Sequence, residues 1–224
     1  MIKRVKSGVH GLDPLIGGGF IDGSVNLITG GTGTGKTIFS SQFLWEGLQR
    51  GESCIYITLE ESADAIKQDG LLFGWDFGKF EKKGLCKIIY HDPAQVNNIG
   101  SVIIDELSNL KAKRIVIDSV AVMGLVIGEI AQIRRRIMNL IATLKNAGCT
   151  SLIISEIPEG SSSLSRFGVE EFSVDTVVVL NYLGIGGLDA RSLLIRKMRG
   201  TNHGKDVYPF EITPKGIVIK KNEL

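Results

Sequence analysis

Apolar runs of strand length alternate with amphipathic segments of helix length between residues 24 and 155. The runs are SVNLITG, SCIYITLE, LCKIIY, RIVIDSV and TSLIIS, and the helix-length segments cover 36–49, 62–73, 99–110 and 129–147. Strands that are joined by helices pair in parallel, and a parallel sheet is covered by helices on both faces. The pattern therefore predicts an α/β fold with a mostly parallel central sheet.

The pattern changes after residue 156. A long loop is followed by the strand-like runs DTVVVLNYL and ARSLLIRKM, which are separated by the glycine-rich GIGG. Two such runs around a glycine-rich turn are typical of a hairpin. We expect an antiparallel hairpin at the edge of the sheet, and a single domain over residues 1–224.

The segment 129–147 shows the clearest helical period. Apolar residues recur at steps of three and four, and the segment ends at Gly148, a residue typical of helix C-termini. The predicted buried face holds Ile130, Ile133, Ile137, Ile141 and Leu144. Arg134, Arg135 and Arg136 fall on the opposite face, which is either a solvated surface or a contact with another subunit or a nucleic acid.

Composition and charge indicate a cytoplasmic globular protein. The net charge of the 224 residues is +2, so no global field draws the chain onto nucleic acid or an anionic membrane. The basic start lacks the apolar core of a signal peptide, and the run AVMGLVIG is too short to span a bilayer, so we expect no membrane association. The terminal KNEL resembles an endoplasmic-reticulum retention signal, but such a signal has no effect in a protein without a signal peptide. Cys54, Cys86 and Cys149 are far apart and are expected to be reduced core thiols.

The segment GGTGTGKT matches the phosphate-loop pattern G-x-x-x-x-G-K-[ST], and it follows an apolar run and opens an amphipathic segment. Glycine backbone can turn its N–H groups towards phosphate oxygens, the lysine reaches the β- and γ-phosphates, and the threonine hydroxyl ligates Mg²⁺. The predicted nucleotide-binding residues are Gly30, Gly31, Thr32, Gly33, Thr34, Gly35, Lys36, Thr37 and Ile38.

Acidic residues follow two of the strand-like runs. Asp118 ends RIVID in the Walker B arrangement, which predicts a second Mg²⁺ contact beside Thr37. Glu60 and Glu61 follow YITL, where a carboxylate can orient or deprotonate a water at the γ-phosphate. The alternative is structural: Asp118 could cap a turn, and Glu60 or Glu61 could cap the helix that starts near Ser62.

Basic residues are concentrated in RKMRGTNHGKD, residues 196–206. Lys197 and Arg199 are two apart on a strand-like run, so they project from one face and can reach beyond their own subunit. Their anion could be a nucleic acid, a nucleotide phosphate, or a local acid such as Asp206 or Glu211.

Several segments resemble the KaiC-like ATPases of the RecA superfamily, almost end to end. They are SGVHGLDPLIGGGFIDGS, GTGTGKTIFSSQFL, TLEES, FGWDFGKF, VIDSV, RFGVEEF and KMRGTNHGKDVYPFEIT. The resemblance implies a RecA-like phosphate-loop fold, ATP with Mg²⁺, a homo-oligomeric ring of six subunits, and catalytic roles for Glu60 and Glu61. It also implies that Lys197, Arg199, His203 and Lys205 reach the nucleotide held by a neighbouring subunit.

The sequence departs from KaiC itself in three respects. KaiC has two such domains in tandem, whereas this chain has one and is closer to the first. Glu171 and Phe172 stand at the positions that match the autophosphorylated Ser and Thr, which argues against clock-type autokinase activity. Pro214 stands where the resemblance implies an aspartate near the base, so base selectivity stays open.

Three classes of function fit these features. The first is a slow ATPase ring that acts as a nucleotide-dependent switch on an unknown protein partner. The second is a DNA-acting ATPase like RecA or RadA, for which the loop 156–172 is poorly suited, since it carries Arg166 against four glutamates. The third is an interaction module that holds a nucleotide with negligible turnover.

Overall fold

The computed structural model describes residues 2–183 and 190–220. Within these residues the helices are α1 Leu12–Leu15, α2 Lys36–Gln49, α3 Ala63–Leu72, α4 Phe77–Glu81, α5 Ile99–Leu110, α6 Met123–Val126, α7 Ile130–Ala147 and α8 Glu170–Ser173. The strands are β1 Arg4–Val5, β2 Phe20–Ile21, β3 Val25–Gly30, β4 Cys54–Thr58, β5 Cys86–Tyr90, β6 Arg114–Asp118, β7 Thr150–Glu156, β8 Thr176–Tyr182, β9 Arg191–Met198, β10 Val207–Thr213 and β11 Gly216–Ile219. Short 3₁₀ segments cover Pro93–Asn98 and Val120–Val122.

The central sheet of the described chain has nine strands in the order β11-β10-β9-β8-β3-β7-β6-β4-β5. Neighbouring strands from β8 to β5 in this order pair in parallel. The predicted α/β fold with a mostly parallel sheet is therefore confirmed. β1 and β2 form a separate two-stranded antiparallel sheet.

The antiparallel part of the sheet is larger than the sequence predicts. β8 and β9 form the expected antiparallel pair, and the residues of GIGG between them lie outside the described residues. This pair is not the edge, because β10 pairs with β9 and β11 pairs with β10. Pro209 interrupts the apolar pattern of β10. Because a proline argues against a strand in the interior of a sheet, the sequence does not predict β10.

The core lies on both faces of the parallel strands. Residues of one alternating set, such as Tyr56 and Val116, belong to a cluster with Phe39 and Phe43 of α2. The other set packs against apolar residues of α5 and α7. Every residue of β4 is buried, which is the burial that a central parallel strand requires.

Four of the five residues that the sequence predicts for the buried face of α7 are buried. Ile133, Ile137, Ile141 and Leu144 are buried, and Arg134, Arg135 and Arg136 are exposed. Ile130 is an exception, because 61% of its surface is exposed. It belongs to the apolar face by angle, but it lies in the first turn of the helix beside exposed residues of the preceding loop, where no core covers it.

The three cysteines are buried and make no disulfide, as predicted for core thiols. Burial raises the pKa of each thiol, to about 12 for Cys86. The helices of the described residues include none that is long and apolar enough to cross a membrane. The terminal KNEL lies outside the described residues.

Candidate nucleotide site

The predicted site residues that follow β3, β4 and β6 meet at one edge of the sheet. These strands are parallel, so their carboxyl ends point the same way, and open α/β sheets bind ligands at this edge. The register pairs Thr58 with Asp118 and Gly30 with Glu156. The phosphate loop, the Walker B acid and the acids after β4 are thereby brought together.

The loop between β3 and α2 needs glycine at several positions. Gly33 and Gly35 adopt left-handed φ angles of 71° and 94°. A Cβ atom at Gly30 would lie 2.3 Å from the carbonyl oxygen of Leu180 on the neighbouring strand. α2 starts at Lys36, directly after this loop, so the N–H groups of its first turn have no partners within the helix and are free to bind an anion.

Lys36 folds back over the loop. Its ammonium donates hydrogen bonds to the carbonyl oxygens of Gly30 and Gly31 at 3.0 and 2.8 Å. Burial lowers the pKa of Lys36, and the nearby carboxylates of Glu156, Asp118 and Glu60 act in the opposite direction. The charge of Lys36 therefore lies at the loop and is surrounded by acids of its own chain.

Asp118 contacts the side chains of Thr37 and Tyr56. The hydroxyl groups of these residues donate hydrogen bonds to Oδ2 of Asp118 at 3.1 and 2.5 Å, respectively. Burial raises the pKa of Asp118 to about 6, while both hydrogen bonds act to lower it. The sequence analysis missed Tyr56; the available signal was a hydroxyl within the otherwise apolar segment CIYI.

Glu60 and Glu61 lie in the turn after β4. The hydroxyl of Ser119, next to Asp118, donates a hydrogen bond to the carboxylate of Glu60. Burial raises the pKa of Glu61, and the charges of Asp69 and Glu60 raise it further. The N-cap of α3 is Ser62, whose hydroxyl accepts a hydrogen bond from the N–H of Ala65 at 3.1 Å, so the predicted alternative of a glutamate cap is wrong.

A hollow of about 260 Å³ adjoins the first turn of α2. Its walls combine this turn with the aromatic pair Phe73 and Trp75, whose rings stack at 4.8 Å. The residues that line it are Thr37, Ile38, Ser41, Glu61, Asp69, Gly70, Leu72, Phe73 and Trp75. Ile38 thus borders both the loop and an apolar cleft large enough for a flat ring.

Arg191 is a second basic residue at the loop, and the sequence analysis missed it. Its guanidinium lies over the ring of Tyr182 at 4.2 Å and donates to the carbonyl oxygen of Gly33 at 3.3 Å. This contact is made to a carbonyl oxygen of the loop, so it leaves the N–H groups of the loop unchanged. The contact indicates that Arg191 stabilises the conformation of the loop.

The structure does not bring Lys197 and Arg199 to the phosphate loop of their own chain. Lys197 Nζ donates to the carbonyl oxygens of Glu171, Phe172 and Val174 at 2.8, 3.3 and 2.7 Å. Arg199, the residue after the end of β9, donates to the carbonyl oxygen of Phe172 at 3.2 Å, so both side chains reach the same carbonyl oxygen.

Asp175 fixes the position of this cluster at the opposite edge of the sheet. Arg199 lies 3.6 Å from Asp175, whose carboxylate also accepts the N–H of Val25 at the start of β3. At about 3.3 Å per residue, the path from Val25 to Gly30 spans roughly 17 Å. Arg199 thus makes the internal ion pair that the sequence left open, with Asp175 as the acid; within the described residues no ion pair joins it to Asp206 or Glu211.

His203 and Lys205 lie in the loop between β9 and β10. His203 Nδ1 lies 2.8 Å from the carbonyl oxygen of Gly204, whose N–H in turn donates to Leu15. Lys205 is exposed. Within the described residues, neither side chain has a hydrogen bond or an ion pair with the phosphate loop.

Comparison with known proteins agrees with this geometry. A family model described as "ATPase: KaiC" matches residues 5–224. The chain belongs to the KaiC family of ATPases. A KaiC-like protein of Pyrococcus horikoshii has a crystal structure that superposes with a TM-score of 0.90 at 42% identity, covering 99% of this chain and 100% of that one. The RecA-like fold that the resemblance implies is therefore confirmed.

Relatives within the KaiC family differ in the share of their length that this chain covers. A UPF0273 protein of Thermotoga maritima is 40% identical over 240 residues, which cover 100% of this chain and 98% of that protein. A UPF0273 protein of Pyrococcus furiosus is 39% identical over 236 residues, or 98% and 94% of the two chains. The circadian clock oscillator protein KaiC of Synechococcus elongatus is 35% identical over 229 residues, or 97% of this chain and 44% of that protein.

The KaiC family implies a nucleotide and Mg²⁺, and the donors at the loop suit both. Among residues 2–183 and 190–220 no group of three or more His, Cys, Asp and Glu residues could hold a metal ion alone. Mg²⁺ needs no such cage, since it is usually bound by one or two protein oxygens together with phosphates and water. The hydroxyl of Thr37 and the carboxylate of Asp118 provide these oxygens within 3.1 Å of each other.

Proposed function

We propose that this KaiC-family protein binds ATP with Mg²⁺, hydrolyses it slowly within a closed ring of subunits, and acts as a nucleotide-dependent switch. One observation carries the proposal. The chain has a phosphate loop with its acids at one edge of the sheet, and at the other edge a basic cluster in which cations outnumber acids. The phosphate loop of each subunit would form part of one site, and its basic cluster would form part of the site on a neighbouring subunit.

Binding of ATP is assigned to the loop and the adjoining hollow. The first-turn N–H groups of α2 and the ammonium of Lys36 would hold the β- and γ-phosphates, after Lys36 leaves the carbonyl oxygens of Gly30 and Gly31. The base would enter the hollow beside Phe73 and Trp75. Thr37 and Asp118 would hold Mg²⁺, which when bound neutralises charge on the β- and γ-phosphate oxygens.

Hydrolysis is assigned to the acids after β4. A water must be oriented or deprotonated for attack on the γ-phosphate, and a carboxylate within hydrogen-bond reach can do both. Glu60 is fixed by the hydroxyl of Ser119, and Glu61 borders the hollow beside Thr37. Neither caps α3, so both carboxylates are free of the structural role that the sequence left open.

The basic cluster of Lys145, Lys197 and Arg199 is assigned to the nucleotide of a neighbouring subunit. Asp175 pairs with Lys145 and Arg199, and Asp175 and Glu171 are the acids that act on Lys197, so three cations face two carboxylates. Charge of this sign and density attracts an anion from outside the chain. His203 and Lys205, on the following loop, would join these contacts as the family resemblance implies.

The positions of the two half-sites favour a ring. A basic cluster that contacts the phosphate loop of the next subunit makes a heterologous interface, because two different surfaces of the chain meet. A heterologous interface that closes on itself generates a ring, and the resemblance to KaiC implies six subunits. Activity then depends on assembly.

The contacts of Lys197 provide a reason for slow turnover. All three hydrogens of its ammonium are used by carbonyl oxygens at the C-terminus of α8. Lys197 must leave some of these oxygens to contact a neighbour's phosphate, which links the nucleotide to the position of α8. A partner protein that binds this region would bind the ATP state and the ADP state with different affinities.

Complementation tests the proposal. Lys36→Ala protein has a disabled phosphate loop and an intact basic cluster, and Arg199→Ala protein has the converse defect. After subunits are mixed and their exchange is verified by native mass spectrometry, we expect ATP hydrolysis to reappear in mixed rings. Mixing differently tagged Lys36→Ala proteins is the matched control and should stay inactive.

Three outcomes would overturn the assignment. If exchange is verified and mixed rings stay as inactive as Arg199→Ala alone, Arg199 does not act on a neighbour's nucleotide. If single-stranded DNA stimulates hydrolysis strongly, the protein acts on DNA and the switch is the wrong class. Nucleotide binding without any turnover in the wild-type ring would indicate a module that only holds ATP.

A further inference from the structure

We infer that Tyr56 is a positioning residue of the metal site, and that its phenol hydroxyl fixes the orientation of the Asp118 carboxylate. The inference deepens the proposed function and rests on it. Tyr56 lies outside the phosphate loop, the Walker B strand and the acids after β4. It would contact neither the nucleotide nor the metal.

The register of the sheet places Tyr56 where it can reach Asp118. Tyr56 lies opposite Val116, and Thr58 lies opposite Asp118, so Tyr56 and Asp118 are diagonal neighbours on one face of β4 and β6. Long aromatic side chains reach such diagonal neighbours. The same face packs against α2, which carries Thr37.

The hydrogen bonds leave one carboxylate oxygen available. Tyr56 and Thr37 both donate to Oδ2 of Asp118, and the hydrogen bonds found for this carboxylate in the described residues all end there. A threonine hydroxyl can donate its hydrogen to Asp118 while a lone pair of its oxygen faces a metal. Oδ1 is then the oxygen of Asp118 that can turn to Mg²⁺ or to a water of its shell.

The choice of tyrosine has no reason in packing alone. Tyr56 is fully buried, and its ring belongs to the apolar cluster between the sheet and α2. A buried hydroxyl is costly unless it finds an acceptor, and phenylalanine would fill the same space without that requirement. The hydroxyl donates a hydrogen bond to Asp118, which is the one acidic residue of β6.

Tyr56→Phe tests the inference, since it removes one oxygen and keeps the ring. Calorimetry should measure the affinity for ADP with Mg²⁺ and with EDTA, and electron paramagnetic resonance should measure Mn²⁺ binding to the ADP complex. Loss of a group that orients a metal ligand typically weakens metal affinity about 10- to 100-fold. We expect Mn²⁺ binding to weaken within this range, and ADP affinity in EDTA to stay within about threefold of wild type.

Matched variants separate this inference from the proposed function. Tyr90→Phe removes a phenol hydroxyl from an exposed residue of β5 and should leave metal affinity unchanged. Asp118→Asn should weaken Mn²⁺ binding strongly, and the double variant Tyr56→Phe with Asp118→Asn should bind Mn²⁺ no worse than Asp118→Asn alone. This non-additivity is expected because Tyr56 acts through Asp118.

The outcomes are distinguishable. Wild-type Mn²⁺ affinity in Tyr56→Phe, together with weakened affinity in Asp118→Asn, would overturn the role of Tyr56 and leave the proposed function intact. Wild-type affinity in both would overturn the metal site itself. Equal loss of ADP affinity with Mg²⁺ and with EDTA would show that Tyr56 supports only the fold.

Discussion

Lys36 and Lys197 make similar contacts in very different surroundings. The ammonium of each donates to backbone carbonyl oxygens of its own chain, and burial lowers the pKa of each. Around Lys36 the further influences are the acids Glu156, Asp118 and Glu60. Around Lys197 the largest further influence is Arg199, another cation.

This difference indicates which of the two lysines needs an anion from another molecule. The charge of Lys36 is offset by acids of the same chain. Lys197 belongs to a cluster with Arg199 and Lys145, and the acids that act on it are Asp175 and Glu171, so cations outnumber acids. Acids of its own chain offset the charge of the first lysine, whereas under the proposed function an anion of another molecule offsets that of the second.

The largest expected effect is on hydrolysis in Arg199→Ala. An arginine that contacts the transferred phosphate in trans accelerates hydrolysis about 10³- to 10⁵-fold, so turnover should fall by up to that factor. ATP affinity of the isolated subunit should stay near wild type, because Arg199 is far from its own loop. A loss of affinity in the isolated subunit would break the comparison, since the basic cluster would then serve its own loop.

Glu60→Gln with Glu61→Gln should reduce hydrolysis by about 10²- to 10⁴-fold, the usual contribution of a general base. Glutamine keeps the size and hydrogen bonding of glutamate, so ATP should still bind. Steady-state turnover and equilibrium binding measure the two properties. Parental turnover in the double variant would show that these acids serve only to offset Lys36.

Lys36→Ala should weaken ATP binding about 10- to 150-fold, since hydrogen bonds to charged groups contribute about 1.5–3 kcal/mol. Calorimetry on the isolated subunit measures this affinity, and circular dichroism shows whether the fold is kept. Lys82→Ala, at an exposed lysine after α4, is the matched control. Wild-type affinity in folded Lys36→Ala protein would mean that the loop does not bind the nucleotide.

The smallest effect concerns stability without nucleotide. Lys197→Met should lower the free energy of unfolding by roughly 1–2 kcal/mol, because carbonyl oxygens at the end of α8 lose their donor. Lys36→Met should cost more, since it also leaves Glu156, Asp118 and Glu60 without the cation that offsets them, whereas Lys197→Met relieves repulsion from Arg199. Urea denaturation compares the two, and a larger loss in Lys197→Met would reverse the contrast drawn above.

Local patterns were sufficient for the parallel part of the fold. The helices 36–49 and 99–110 have the predicted bounds, because each begins and ends at signals within a few residues. The phosphate loop is equally local: its glycines, its lysine and the helix that follows are adjacent in the chain. β10 escaped prediction because Pro209 masks the alternation that marks a strand, and β11 is only four residues long.

The sequence by itself determined the loop, the strands that end in acids, and the family. Only the tertiary structure decided which residues meet across strands. Tyr56 and Asp118 are 62 positions apart and meet because of the register between β4 and β6. Lys197 and Arg199 are separated from their own loop because β9 runs antiparallel to β8 and ends at the opposite edge of the sheet. Register and strand order arise from packing of the whole chain, and no short segment encodes them.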